Sequence, residues 1–165
     1  MNMKRIFLIL LIVVAVLSSL SVASAGLLDV LNGQTQDNVV EIDNITFNTT
    51  DPINFEFIEY NESTHLKLYG DDRMVGYTVY ICDSSQLDDS QWDSQLEELE
   101  NFTSSVDIQN VSGVDIFKLP VEGGQNDGQM RYGTCVINDD LNAFVIMYSP
   151  DLNETVKMAS TLKFK

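Results

Sequence analysis

Few side chains in this 165-residue chain could carry out chemistry, and their types limit what that chemistry could be. His65 is the only histidine. With one imidazole, a His-Cys pair, a Ser-His-Asp relay or a multi-histidine metal site is impossible or incomplete. An exposed strand position accounts for His65 more simply. Gly123, Gly124 and Gly128 lack the Lys-Ser/Thr partner of a phosphate-binding loop. Glycoside hydrolysis needs two carboxylates, and the chain has 25. So many acids supply pairs everywhere, and a pair by itself identifies nothing. The chain is therefore expected to be no enzyme and to hold no cofactor.

Hard cations want several oxygen ligands, and two groups offer them: Asp83 with Asp88 and Asp89, and Asn138 with Asp139, Asp140 and Asn142. Neither follows the twelve-residue calcium loop. A solvated loop and a polar hairpin turn are the simpler readings, and no metal ligand is assigned. Tyr77, Tyr80, Tyr132, Phe144 and Tyr148 alternate on predicted strands. Core packing explains them more cheaply than a carbohydrate-stacking platform.

Covalent modification offers more. Lys4 and Arg5 lead into an apolar run over residues 6–17, followed by Ala23-Ser24-Ala25. This is the layout of a secretory signal peptide over residues 1–25, and the run falls short of the roughly 20 residues that span a bilayer. Cleavage would leave Gly26 first; retention as a signal anchor is the alternative. Asn-x-Ser/Thr occurs at Asn44, Asn48, Asn61, Asn101, Asn110 and Asn153, where about two are expected by chance. In an exported protein each is a candidate glycan acceptor. Cys82 and Cys135 are the only cysteines, and export takes them out of the reducing cytosol. They are expected to pair with each other, which requires their strands to be neighbours or to cross at a sheet edge. Two buried thiols are the alternative.

Twenty-five acidic against nine basic residues give a formal charge of −16, and −18 once Lys4 and Arg5 leave with the signal peptide. Such a surface repels nucleic acid and anionic lipid. No second apolar segment can span a membrane after signal cleavage. An unknown protein or a cell-envelope component is left as the partner, outside the cell or on its surface. A calcium-dependent structural or ligand-binding protein is the alternative, and an acidic hydrolase comes third. Oligomeric state is left open.

The elements that must position these residues come from periodicity. Residues 26–38 form a short leader, and one α+β domain occupies residues 39–165. Val40 and Ile42 share one phase, which flips at Asp43-Asn44 to Ile45 and Phe47, the mark of a tight hairpin. Strands are predicted over 54–60 and 65–69, with Leu66 and Leu68 facing in and His65, Lys67 and Tyr69 facing out. A central strand ends at Cys82, because residues 74–82 are apolar on both faces. Ser90, with Asp93 three residues on, predicts a helix start, and Trp92, Leu96, Leu99 and Phe102 form its stripe. A turn at Ser112-Gly113, a loop over 120–128 and a buried hairpin over 130–148 follow. Ser149-Pro150-Asp151 predicts the second helix, with Leu152, Val156, Ala159 and Leu162 inward and Lys157, Lys163 and Lys165 towards its C-terminal end.

This order resembles the Mog1/PsbP-like α+β domain. Three stretches carry the resemblance: residues 39–48, Val111-Ser112-Gly113-Val114-Asp115, and residues 152–164 ending Ala159-Ser160-Thr161-Leu162-Lys163-Phe164. The chain is also similar to small exported proteins of methanogenic archaea that pair such a domain with a signal peptide. The resemblance implies a mainly antiparallel sheet with two helices packed on it, a surface location, and no shared catalytic site.

Overall fold

The phase flip at Asp43-Asn44 becomes a two-residue turn joining β1 (Asn38–Ile42) to β2 (Ile45–Thr49), with Ile42 opposite Ile45. Asp43 supplies the turn's positive φ of 49°, a conformation that aspartate tolerates better than most residues. Val40, Ile42, Ile45 and Phe47 are all buried as a result. The computed structural model describes residues 37–71, 76–82, 85, 87–120 and 128–165. The expected signal peptide, nearly all of the expected leader, residues 121–127 of the predicted loop, and Asp83 of the first oxygen-rich group lie outside the described residues.

The chain continues through β3 (Phe55–Asn61), β4 (Leu66–Asp71), β5 (Thr78–Cys82), α1 (Asp89–Thr103), β6 (Ile108–Val111), β7 (Val114–Pro120), β8 (Met130–Asn138), β9 (Ala143–Ser149), α2 (Leu152–Thr161) and β10 (Lys163–Phe164). Seven strands form one sheet in the order β3-β4-β5-β9-β8-β7-β6, and every pair in it is antiparallel. Strands β1, β2 and β10 form a small second sheet. The protein is thus α+β, with two helices on a mainly antiparallel sheet. Every residue of β5 and β9 is buried, as a central position requires. Ser112 and Gly113, at φ 55° and 85°, make the two-residue β6–β7 turn, where both residues need positive φ.

Alternation along β5 sends Tyr80 and Cys82 to one face and Val79 and Ile81 to the other. Trp92 and Leu99 of α1 cover the first face, packing with Leu68, Phe117, Phe144, Ile146 and Tyr148. Met158 of α2 and the small sheet cover the second, around Val145 and Met147.

Three local expectations are corrected. Helix α1 is capped by Asp88, not Ser90: Asp88 Oδ1 accepts the Gln91 N–H (2.8 Å) and Gln91 Oε1 accepts the Asp88 N–H (2.9 Å). This reciprocal box satisfies two N–H groups at once. Helix α2 begins after Asp151, its N-cap, while Ser149 ends β9. Its buried residues are Glu154, Thr155 and Met158, while Ala159 and Leu162 of the predicted stripe pack half-buried against the same core. The polar pair can face in because acceptors and donors await it. Thr155 Oγ1 bonds Ser149 Oγ (2.7 Å) and donates to the Tyr132 carbonyl (3.1 Å), and Glu154 Oε1 accepts the Thr50 N–H (2.8 Å). Finally, Lys163 and Phe164 leave the helix and pair with Thr46 and Ile45 as β10.

Candidate functional site

The disulfide expectation is overturned. Cys82 sits at the end of β5 and Cys135 on β8, with β9 running between those strands. Strands lie about 4.8 Å apart, so two strand steps already exceed the roughly 7 Å that a disulfide spans between Cα atoms. Both side chains belong to the face under α1, but they are not bonded to each other. Burial pushes the Cys135 thiol up to about 12, which keeps it protonated and a poor nucleophile.

The six sequon asparagines are dispersed. Asn44 lies exposed on the β1–β2 turn, and Asn153 is exposed in the first turn of α2. Asn110 is exposed on β6, yet its amide donates to Asp115 Oδ1 (2.7 Å) and its carbonyl accepts the Gly113 N–H (3.2 Å). Asn61 Oδ1 accepts the N–H groups of Ser63 and Thr64, which shapes the β3–β4 turn. Asn48 on β2 and Asn101 on α1 are half-buried. His65 is a turn residue at φ 51° rather than a strand residue, and its Nδ1 lies 3.0 Å from the Tyr60 hydroxyl.

One member of each oxygen-rich group serves as a cap. Asp88 caps α1, and Asn138 Oδ1 accepts the Leu141 N–H (3.2 Å) of a single 3₁₀ turn at Asp139–Leu141. Among the described residues, no group of three or more His, Cys, Asp or Glu comes together to hold a metal. Of the alternating aromatic residues, Tyr77, Tyr80, Phe144 and Tyr148 are buried and pack as core, as the cheaper reading required. Tyr132 is half-buried under the Lys118 ammonium, 5.6 Å from its ring centre.

Strand β3 lies where the sequence predicts it; the feature that sequence reasoning missed is its exposed apolar edge. The strand forms one edge of the large sheet, and its outer side has no strand beside it among the described residues. Phe57 is 56% exposed, Ile58 44% and Tyr60 37%. A bulge between Phe57 and Glu59 shifts the register, so the apolar phase slips by one residue. The signal was present in Phe55-Glu56-Phe57-Ile58-Glu59-Tyr60: two phases of alternation meet at Phe57-Ile58. Phe57 leans on Tyr69 (ring centres 5.6 Å apart), while Ile58 folds back over Gly70, where a Cβ would lie 2.6 Å from its Cδ1. Glu56 and Glu59 are exposed on the same strand.

A lesser opening lies near the other edge. The β7–β8 ladder stops at Phe117 opposite Gly133, and Thr134 Oγ1 bridges onward, donating to the Asp115 carbonyl (2.9 Å). A cleft of about 210 Å³ there is walled by Leu99, Ile108, Phe117 and Ile137. Among the described residues, no helix is long and apolar enough to cross a membrane. Fold and surface together define an antiparallel α+β domain with an apolar, acidic sheet edge. No protein-family model matches the chain, and no curated protein matches it.

Proposed function

We propose that this protein is an exported, glycosylated, non-enzymatic interaction module whose β3 edge receives an extended, basic segment of a partner protein at the cell surface. The observation that carries the proposal is the row of Phe57, Ile58 and Tyr60, three large apolar side chains exposed on an edge strand. Edge strands are templates for further pairing, and proteins normally blunt them with charge and bulges. Here Glu56, Glu59 and the bulge blunt the edge against a second copy, because antiparallel pairing of β3 with itself would bring like charges together. They do not blunt it against a strand carrying lysine or arginine. Main-chain bonds would supply affinity in such a complex, and the apolar row with its flanking glutamates would supply specificity.

The Mog1/PsbP-like assignment belongs to the same proposal. An antiparallel sheet with a helix on each face supports it, and a family without a shared catalytic site fits a binding role. Titration of the isotope-labelled protein with a short synthetic peptide alternating valine and lysine tests the edge. Backbone amide shifts should concentrate in β3 and β4 and shrink at least tenfold in apparent affinity for Ile58→Glu. Shifts elsewhere, or none, would reject the reading, and a dimer in sedimentation that Ile58→Glu dissolves would replace the partner with a second copy.

A further inference from the structure

A second feature is independent of the β3 edge. Three polar groups on the α1 face of the large sheet are buried without a hydrogen-bond partner: the Tyr80 hydroxyl, the Tyr148 hydroxyl and Arg131 Nη1. Their residues are only 3%, 2% and 4% exposed. They stand on three consecutive strands, β5, β9 and β8. Tyr80 belongs to the cluster under α1, and its ring meets that of Tyr148 edge-on, centres 6.2 Å apart. Two residues from Arg131, a Cβ on Gly133 would point into the Tyr148 and Phe117 rings, so alternation puts Arg131 on that same face. The guanidinium reaches back towards β5, since a Cβ on Gly76 would lie 3.3 Å from Arg131 Nη2. Burial raises the Tyr80 hydroxyl above the usual tyrosine range, and the Arg131 charge is near enough to work against that rise.

A buried guanidinium cannot shed its proton at working pH, and a buried N–H of it left without an acceptor is costly. The carboxylate closest in effect is Asp71, whose Oδ2 accepts the N–H groups of Gly76 (2.9 Å) and Tyr77 (2.8 Å). Burial holds both tyrosines protonated, so each keeps a hydroxyl to donate. Glu59 is the acid whose field reaches Tyr80. Three donors without acceptors on one patch call for an acceptor of negative charge. We infer that Arg131, Tyr80 and Tyr148 form an internal site for a monovalent anion of halide size. The tight ring packing around Gly133 leaves no reason to expect anything larger.

Bromide tests this directly. Crystals grown or soaked in sodium bromide should show an anomalous peak within hydrogen-bond distance of Arg131 Nη1 and the two hydroxyls. Ordered water in that place, or bromide only on the surface, would overturn the site. In solution, sodium bromide should raise Tm by about 3 °C over an equal concentration of sodium gluconate, as expected when a ligand binds only the native state. Tyr80→Phe with Tyr148→Phe keeps both rings in the core and should remove at least half of that rise. An undiminished rise in the double variant, or equal Tm values in the two salts, would overturn the assignment. Neither result bears on β3, so this inference and the proposed function fail separately.

Discussion

Gly133 shows how far a single residue constrains this core. A Cβ there would lie 2.3 Å from Phe117 Cε2 and 2.6 Å from Tyr148 Cε1, distances that real contacts do not reach. The two rings occupy the space a side chain would take, with centres 5.7 Å apart and planes nearly perpendicular. Both belong to fully buried residues, so neither can swing into solvent. Gly133→Ala is therefore expected to destabilise the fold by about 3 kcal/mol, the upper part of the overpacking range. Urea denaturation of the two proteins measures it, and an effect under about 1 kcal/mol would mean that the rings have an alternative packing. The need for glycine is invisible in the sequence, because the rings come from two other strands.

At the scale of elements, helix ends matter more than helix stripes. The Asp88–Gln91 box begins α1 one residue before the first helical turn, and it uses a side chain that a calcium reading would have spent on a metal. Asp88→Ala removes the acceptor for the Gln91 N–H and is expected to cost about 1 kcal/mol. The loss should appear as a lower denaturation midpoint with an unchanged urea dependence. Ser90→Ala, at the position the spacing first indicates as a cap, should change stability by less than 0.5 kcal/mol. Helix α2 teaches the converse. Its apolar pattern points to Leu152 and Val156, yet Thr155 is fully buried because Ser149 and the Tyr132 carbonyl are there to receive its hydroxyl. A buried polar group is inexpensive only when its partner is in place, and the partners lie on β8 and β9.

For the whole molecule, the interior groups set a limit at alkaline pH. Cys135 titrates near 9 when unfolded and at about 12 in the fold, raised by burial. Tyr148, Tyr80 and Tyr77 are raised above the usual tyrosine range, chiefly by burial. Above about pH 9 the unfolded chain has lost a proton that the native protein still holds, so stability falls as pH rises. The stabilisation is complete below pH 9 and disappears progressively towards pH 12. Cys135 alone contributes a slope of about 1.4 kcal/mol per pH unit in that window, and the tyrosines steepen it above pH 10. Denaturation series at pH 8, 9 and 10 should show the decline, and Cys135→Ala should flatten it between 9 and 10. An equal slope in the variant would place the titrating group elsewhere.

The sequence by itself determined the local geometry of this protein. The hairpin at Asp43-Asn44, the turn at Ser112-Gly113, the doubly buried β5 and the Trp92–Leu99 stripe follow from periodicity and turn chemistry within a few residues. The α+β class follows from their order. Tertiary structure decided what depends on which strands become neighbours. It placed β9 between Cys82 and Cys135 and so separated two thiols that composition alone would join. It left Phe57, Ile58 and Tyr60 on an edge rather than inside, and it gathered Arg131, Tyr80 and Tyr148 from three strands. Alternation along a strand says which face a residue occupies; it does not say which strand lies beside it, because pairing over long sequence separations is settled by the fit of whole faces.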